Sequence, residues 1–253
     1  NVRAFLTDPG EWFLDNKSGQ LYYLPLPGEK IDRTQVIAPF LSKLVNFNAD
    51  WQKGKFVEYL SFENLTFNHT EWYFEKNFKP VGIPADTRGF VQAAYQVPGA
   101  IRVTGTRQCS WKQCTIAHIG NYGIDFDNAS FNNQILQCQF FDLGAGAVRV
   151  YNFGSIKIED CHIYNGGRLF PSAVAIWIGD AANNLISRNH IHDFYYSAIS
   201  VGWSWGYNDN AARGNIIEFN HIHHIGKLSN SKFTLLNDKG GIYTLGVQPE
   251  TTI

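Results

Sequence analysis

The chain predicts an all-β solenoid, and three observations carry that expectation. Short apolar alternations recur along it at intervals of 23 to 31 residues. Within each interval the apolar spacing has period two, the signature of strands rather than helices. The unit is also too short for the strand–helix–strand crossover of an α/β fold.

Aligning Cys114, Cys138, Cys161, Asn189 and Asn220 sets the phase, with steps of 24, 23, 28 and 31 residues. Two residues later stand Ile116, Phe140, Ile163, Ile191 and Ile222, and three residues earlier Trp111, Ile135, Ile158, Ile186 and Ile217. A second alternation follows at Ile124–Phe126, Val148–Val150, Ile176–Ile178 and Ile199–Val201, recurring at Ile242–Thr244. An earlier copy is read at Phe62–Phe67 and Ala100–Val103. A single coil of this kind cannot bury its inner face. Stacked coils form parallel sheets with strands about 4.8 Å apart and ladders of equivalent side chains. The leucine framework of a leucine-rich repeat is absent. The expected architecture is a right-handed parallel β-helix, its hand following the chirality of parallel connections. An inward Asn in the anchor column can bond the coils above and below it. Cys114, Cys138 and Cys161 are expected to be buried, stacked and unbridged, because parallel side-chain vectors suit a disulfide poorly.

Residues 1–55 read differently. Glu11–Leu14 and Gln20–Leu24 flank Asp15–Gly19, a hairpin signal. This β-hairpin region is expected to pack on a solenoid spanning 56–253, whose pattern stops before a C-terminal cap. Residues 71–99 hold too many aromatics and prolines for a coil and read as a loop over a cleft. The chain has no methionine and starts at Asn1, so a processed chain or a fragment is expected.

Composition excludes several classes. Aromatics are 15% and charged residues 17%, enough apolar material to exclude general disorder. Basic and acidic residues number 21 and 22, so there is no basic excess for a nucleic-acid partner. No apolar run reaches the length of a membrane helix. The four cysteines form no Cys-x-x-Cys pair, and sequons such as Asn64-Leu65-Thr66 permit a secretory route.

With the anchor column inward, its neighbours point outward. The first outward column reads Thr115, Gln139, His162, His190, His221, and the second Ala117, Phe141, Tyr164, His192, His223. Next to them stand His118, Asp142, Asn165, Asp193 and His224. Six of the eight histidines thus gather on the last three coils. A solvated polar face is the plainest reading. No metal or cofactor is expected, since in-line histidines point parallel rather than converging and no Cys joins them. Trp203 and Trp205 alternate and are expected on one face, where exposed rings beside polar donors suit a sugar. Asp193 and Asp238 are expected at corresponding turns of successive coils.

The runs Arg168–Gly179, Asn189–Ser197, Ile199–Tyr207, Glu218–Gly226 and Gly240–Gly246 resemble the secreted right-handed β-helix proteins around glycoside hydrolase family 141. The openings Gly10–Asp15 and Leu21–Gly28 are similar too. The resemblance implies an extracellular glycoside hydrolase acting on plant-type polysaccharide or oligosaccharide, with two catalytic aspartates. By motif these fall on Asp193 and Asp238, with His190, His192, His221, His223, Trp203, Trp205 and Tyr243 holding the sugar. One departure is the long connection from Lys227 to Asn237. Another is the turn Asp238-Lys239-Gly240-Gly241, where the family has Met at the second position. A non-catalytic carbohydrate-binding or structural β-helix stays open. So does a polysaccharide lyase or epimerase, for which Lys227 and Lys239 are the only basic groups near the cluster.

Overall fold

The computed structural model describes residues 3–15, 17–74, 92–226 and 236–253. The chain divides into two compact units, Asn1–Ala38 and Pro39–Ile253. In the first, Trp12–Asp15 pairs antiparallel with Gln20–Tyr23, Trp12 opposite Tyr23. The Asp15 carboxylate accepts the Lys17 N–H at 2.9 Å and the Ser18 hydroxyl at 2.8 Å, closing the expected hairpin. The solenoid starts earlier than the expected residue 56. Val45–Asn48 already pairs in parallel with Gly99–Thr104.

The second unit is a solenoid of three parallel sheets. The first sheet holds Ser61–Glu63, Ser110–Lys112, Gln134–Leu136, Lys157–Glu159, Leu185–Ser187 and Ile216–Glu218. The second holds Thr66–Thr70, Thr115–Ile119, Gln139–Leu143, His162–Gly166, His190–Phe194 and His221–Ile225. The third holds Val45–Asn48, Gly99–Thr104, Tyr122–Asp127, Val148–Val150, Ile176–Ile178, Ile199–Val201 and Ile242–Thr244. The register matches the repeat residue for residue: His162 lies opposite His190 and His190 opposite His221.

The core is the stack of inward ladders. Ile116, Phe140, Ile163 and Ile191 from the second sheet are fully buried, with Trp111, Ile135, Ile158 and Ile186 from the first and Ile124, Val148, Ile176 and Ile199 from the third. Where a ladder position lacks a side chain, the next coil fills it. Gly166 stands in register with Phe194, and a Cβ there would lie 2.0 Å from the Phe194 ring.

The anchor column links successive coils through one recurring bond. Cys138 Sγ lies 3.5 Å from the Trp111 carbonyl and Cys161 Sγ 3.7 Å from that of Ile135. Asn189 Nδ2 donates to Ile158 at 2.9 Å, and Asn220 Nδ2 to Ile186 at 2.8 Å. Thiol and amide therefore donate at the same place. Asn adds an acceptor: the Asn189 oxygen takes the Cys161 N–H at 3.0 Å, and the Asn220 oxygen takes that of Asn189 at 2.9 Å. The cysteines are buried and free. A second buried Asn column, Asn133, Asn184 and Asn215, repeats the device: their oxygens accept the N–H groups of Cys109, Ile156 and Asn184.

The corners are left-handed. Gln108, Asn132, Ser155, Asn183 and Gly214 form one corner. Gln113, Gln137, Asp160, Arg188 and Phe219 form the next, and His118, Asp142, Asn165, Asp193 and His224 the third; all have φ between 51° and 58°. Only Gly214 among them is glycine. A left-handed residue with a side chain costs about 1–2 kcal/mol, so the ladder bonds must hold these bends in place.

Candidate functional site

Two outer faces carry chemistry. On the second sheet, imidazoles stack at the strand spacing. The His162 and His190 rings are 4.7 Å apart and 4° from parallel, and His190 and His221 are 4.8 Å apart at 6°. In the neighbouring column His192 and His223 lie 4.7 Å apart, and Tyr164 stacks on His192 at 5.2 Å. Rings within a column are parallel, as expected. Between columns, however, nitrogens converge: His162 Nε2 is 2.9 Å from His192 Nε2, and His190 Nε2 is 2.7 Å from His223 Nε2. Burial, then the neighbouring imidazoles, pushes His162 and His190 below the ordinary histidine range. Asp193 sits at the left-handed corner ending this strand, exposed, with Oδ2 2.6 Å from His192 Nδ1.

The outer face of the third sheet is roofed. Its outward ladder runs Arg102, Asp125, Arg149, Trp177, Ser200, Tyr243. Asp125, Trp177 and Ser200 are buried although they point away from the coil interior. The cover includes the end of the long 71–99 insertion, of which residues 75–91 lie outside the described residues. Tyr95 packs on Trp203 at 5.1 Å and on Trp177 at 6.1 Å, and its carbonyl accepts Arg149 Nε at 2.7 Å. Arg149 pairs with the Asp125 carboxylate. Burial pushes the Asp125 carboxyl up, and the guanidinium opposes that shift.

At the edge of this roof lies a pocket of about 260 Å³ lined by Gln92, Ser172, Tyr196, Leu236, Asn237 and Asp238. The Asp238 carboxylate accepts Gln92 Nε2 at 3.1 Å and the Tyr243 hydroxyl at 3.2 Å, and its carbonyl accepts the Tyr196 hydroxyl at 2.6 Å. Burial raises both phenols, and the Asp238 charge adds to each shift. The Gly240 N–H donates to Ser197 Oγ at 3.2 Å, and Lys239 Nζ to the Gly226 carbonyl at 3.4 Å, fixing the Asp-Lys-Gly-Gly turn. A hydrogen-bonded carboxylate among phenols, beside an aromatic shelf, can orient a sugar hydroxyl and move a proton.

The expected residues are thus distributed over both faces. Asp238 and Tyr243 are joined directly at the pocket. His190, His192, His221 and His223 form the ladder with Asp193, which is not among the pocket's lining. In strand register Asp238 aligns with Tyr195, two residues past Asp193, because Ile242 pairs with Ile199. The two aspartates therefore stand two register positions apart, Asp238 three residues before Gly241 and Asp193 five before the aligned Ala198. Trp203 and Trp205 do not share a face. The strand ends at Val201 and Gly202 turns the chain with φ 84°. Trp203 then packs on Trp177 at 5.2 Å while Trp205 is 63% exposed. Lys227 and most of the 227–237 connection lie outside the described residues. Gln92, Tyr95 and Tyr196 were not expected at the site. The aromatic content of the 71–99 insertion is the available signal for Tyr95, and the aromatic run Phe194–Tyr196 that for Tyr196.

The family profile described as a right handed beta helix region matches residues 99–246, and the chain belongs to that family. Among solved structures, a protein titled "Glycoside hydrolase" is similar over 99% of this chain and 47% of its own length, with 24% identity and a TM-score of 0.82. The chain therefore spans about half the length of that structure. A search of the curated proteins finds no match.

Proposed function

We propose that this chain is the β-helix part of a carbohydrate-active protein, a glycoside hydrolase acting on plant-type polysaccharide or oligosaccharide outside the cell. The observation that carries this reading is the Asp238 carboxylate, hydrogen-bonded by Gln92 and Tyr243 at the rim of a pocket beside the half-buried Tyr95 and Trp203 rings. The half-buried Tyr95 and Trp203, packed over the fully buried Trp177, offer the apolar face of a pyranose a stacking partner, and the phenols and amides around Asp238 match its hydroxyls. The fold shared with the solved glycoside hydrolase supports the same class. Asp238, held by the Gln92 amide and the Tyr243 hydroxyl, serves as base or nucleophile. Asp193, aligned by His192, is its proposed partner in proton transfer.

The test is cleavage of a panel of plant cell-wall oligosaccharides, read by released reducing sugar. Asp238→Asn and Asp193→Asn should each lower turnover about 10²–10⁴-fold with circular dichroism unchanged. Wild-type turnover in either variant removes that residue from the mechanism. A second reading, carbohydrate binding without cleavage, draws on Asp193 lying off the pocket. It predicts retention of glycans with no product from the wild-type chain.

A further inference from the structure

From the converging nitrogens of the second sheet we infer a site for one imidazole-preferring divalent transition ion, copper(II) or zinc(II), held by His162, His190 and His192.

The three ligand atoms lie within 4.8 Å of one another. Metal–nitrogen bonds of about 2.0–2.1 Å place two nitrogens on one ion roughly 2.9–3.4 Å apart, depending on the angle between them. His162 Nε2 and His192 Nε2 already stand 2.9 Å apart. His190 comes from the same coil as His192 and stacks on His162, so a rotation of its ring completes the set.

Asp193 selects this trio over its neighbour. Its carboxylate receives His192 Nδ1, so the proton sits there and the Nε2 lone pair faces His162. A carboxylate behind a ligating imidazole is the usual way a protein fixes tautomer and ring orientation. In the adjacent trio, His190, His221 and His223, the matching nitrogen of His223 meets His224 instead of a carboxylate. His221 there is also exposed. Asp193 is thus a positioning residue for the ion. Neutral imidazoles are the ligating form. Nitrogen donors suit copper and zinc and are poor partners for calcium or magnesium.

The untagged chain, stripped with EDTA and exchanged into chelator-free buffer, is titrated with zinc(II) and separately with copper(II) by calorimetry. One equivalent of each should bind, copper more tightly. The copper complex should show nitrogen hyperfine splitting by electron paramagnetic resonance, and calcium(II) should give no heat. His162→Asn and His190→Asn should each weaken binding at least about tenfold, and Asp193→Asn about 10–100-fold with the stoichiometry kept. Circular dichroism checks each fold. Should His190→Asn unfold, His162→Asn, on the same outward column, and Asp193→Asn, at an exposed corner, carry the test. Absence of binding by the wild-type chain overturns the site. So does binding that survives Asn at 162, 190 and 192 together. No glycan enters the measurement, so failure here leaves the carbohydrate reading standing, and the converse also holds.

Discussion

The outer faces of the second and third sheets obey the same repeat and end in opposite environments. Outward residues of the second sheet, such as Phe141, Tyr164 and His190, remain partly exposed. Outward residues of the third, Asp125, Trp177 and Ser200, are buried. Period-two alternation sets which way a side chain points. What covers it is decided by chain arriving from elsewhere, here Gln92–Tyr95 and Trp203. Outward and exposed are separate properties, and only the first is local.

That contrast can be broken first at Arg149. Arg149→Ala strips the partner from the buried Asp125 carboxylate and should cost about 3–5 kcal/mol in urea unfolding. Arg149→Met with Asp125→Leu should recover most of it, since removing both charges removes the desolvation penalty. A loss below about 1 kcal/mol in the single variant would mean that the face is wet.

Inside the coil, Asn189→Ala leaves the Cys161 N–H and the Ile158 carbonyl without their partner. Unsatisfied buried groups cost about 1–3 kcal/mol each, so a loss of about 2–4 kcal/mol is expected in the same measurement. The roof itself is tested by Tyr95→Ala. It removes two aromatic contacts worth about 0.5–1.5 kcal/mol each and should make the fluorescence of Trp177 and Trp203 accessible to acrylamide. The smallest effect belongs to the open face. Phe141→Ser removes a ring that stacks on Tyr164 and meets His118 edge-to-face, and it should cost less than about 1 kcal/mol. A larger loss would show that the second face is sealed as well.

Most of the solenoid was legible because each coil repeats its neighbour's instructions. The Cys and Asn column, the isoleucine ladders and the histidine columns fall where a single alignment puts them. The corners were not legible. Left-handed residues with side chains, such as Gln113, Gln137 and Arg188, carry none of the glycine signal that usually marks such a bend. The strand Val45–Asn48 was missed because its partner, Gly99–Thr104, lies beyond the long insertion. At the candidate site, Tyr243 and Asp238 were readable from the repeat. Gln92 reaches Asp238 across 146 residues, and no local pattern announces a contact of that separation. Trp205 was misplaced because alternation was extended past Gly202, where the strand had already ended.

The left-handed corners also have a mechanical consequence. Each coil holds three unfavourable bends that only adjacent coils stabilise, so an isolated coil should not persist and loss should propagate from an end. Pulled along its axis, the solenoid should give way in discrete steps. At 23 to 31 residues per coil, each step should release about 80–110 Å of chain.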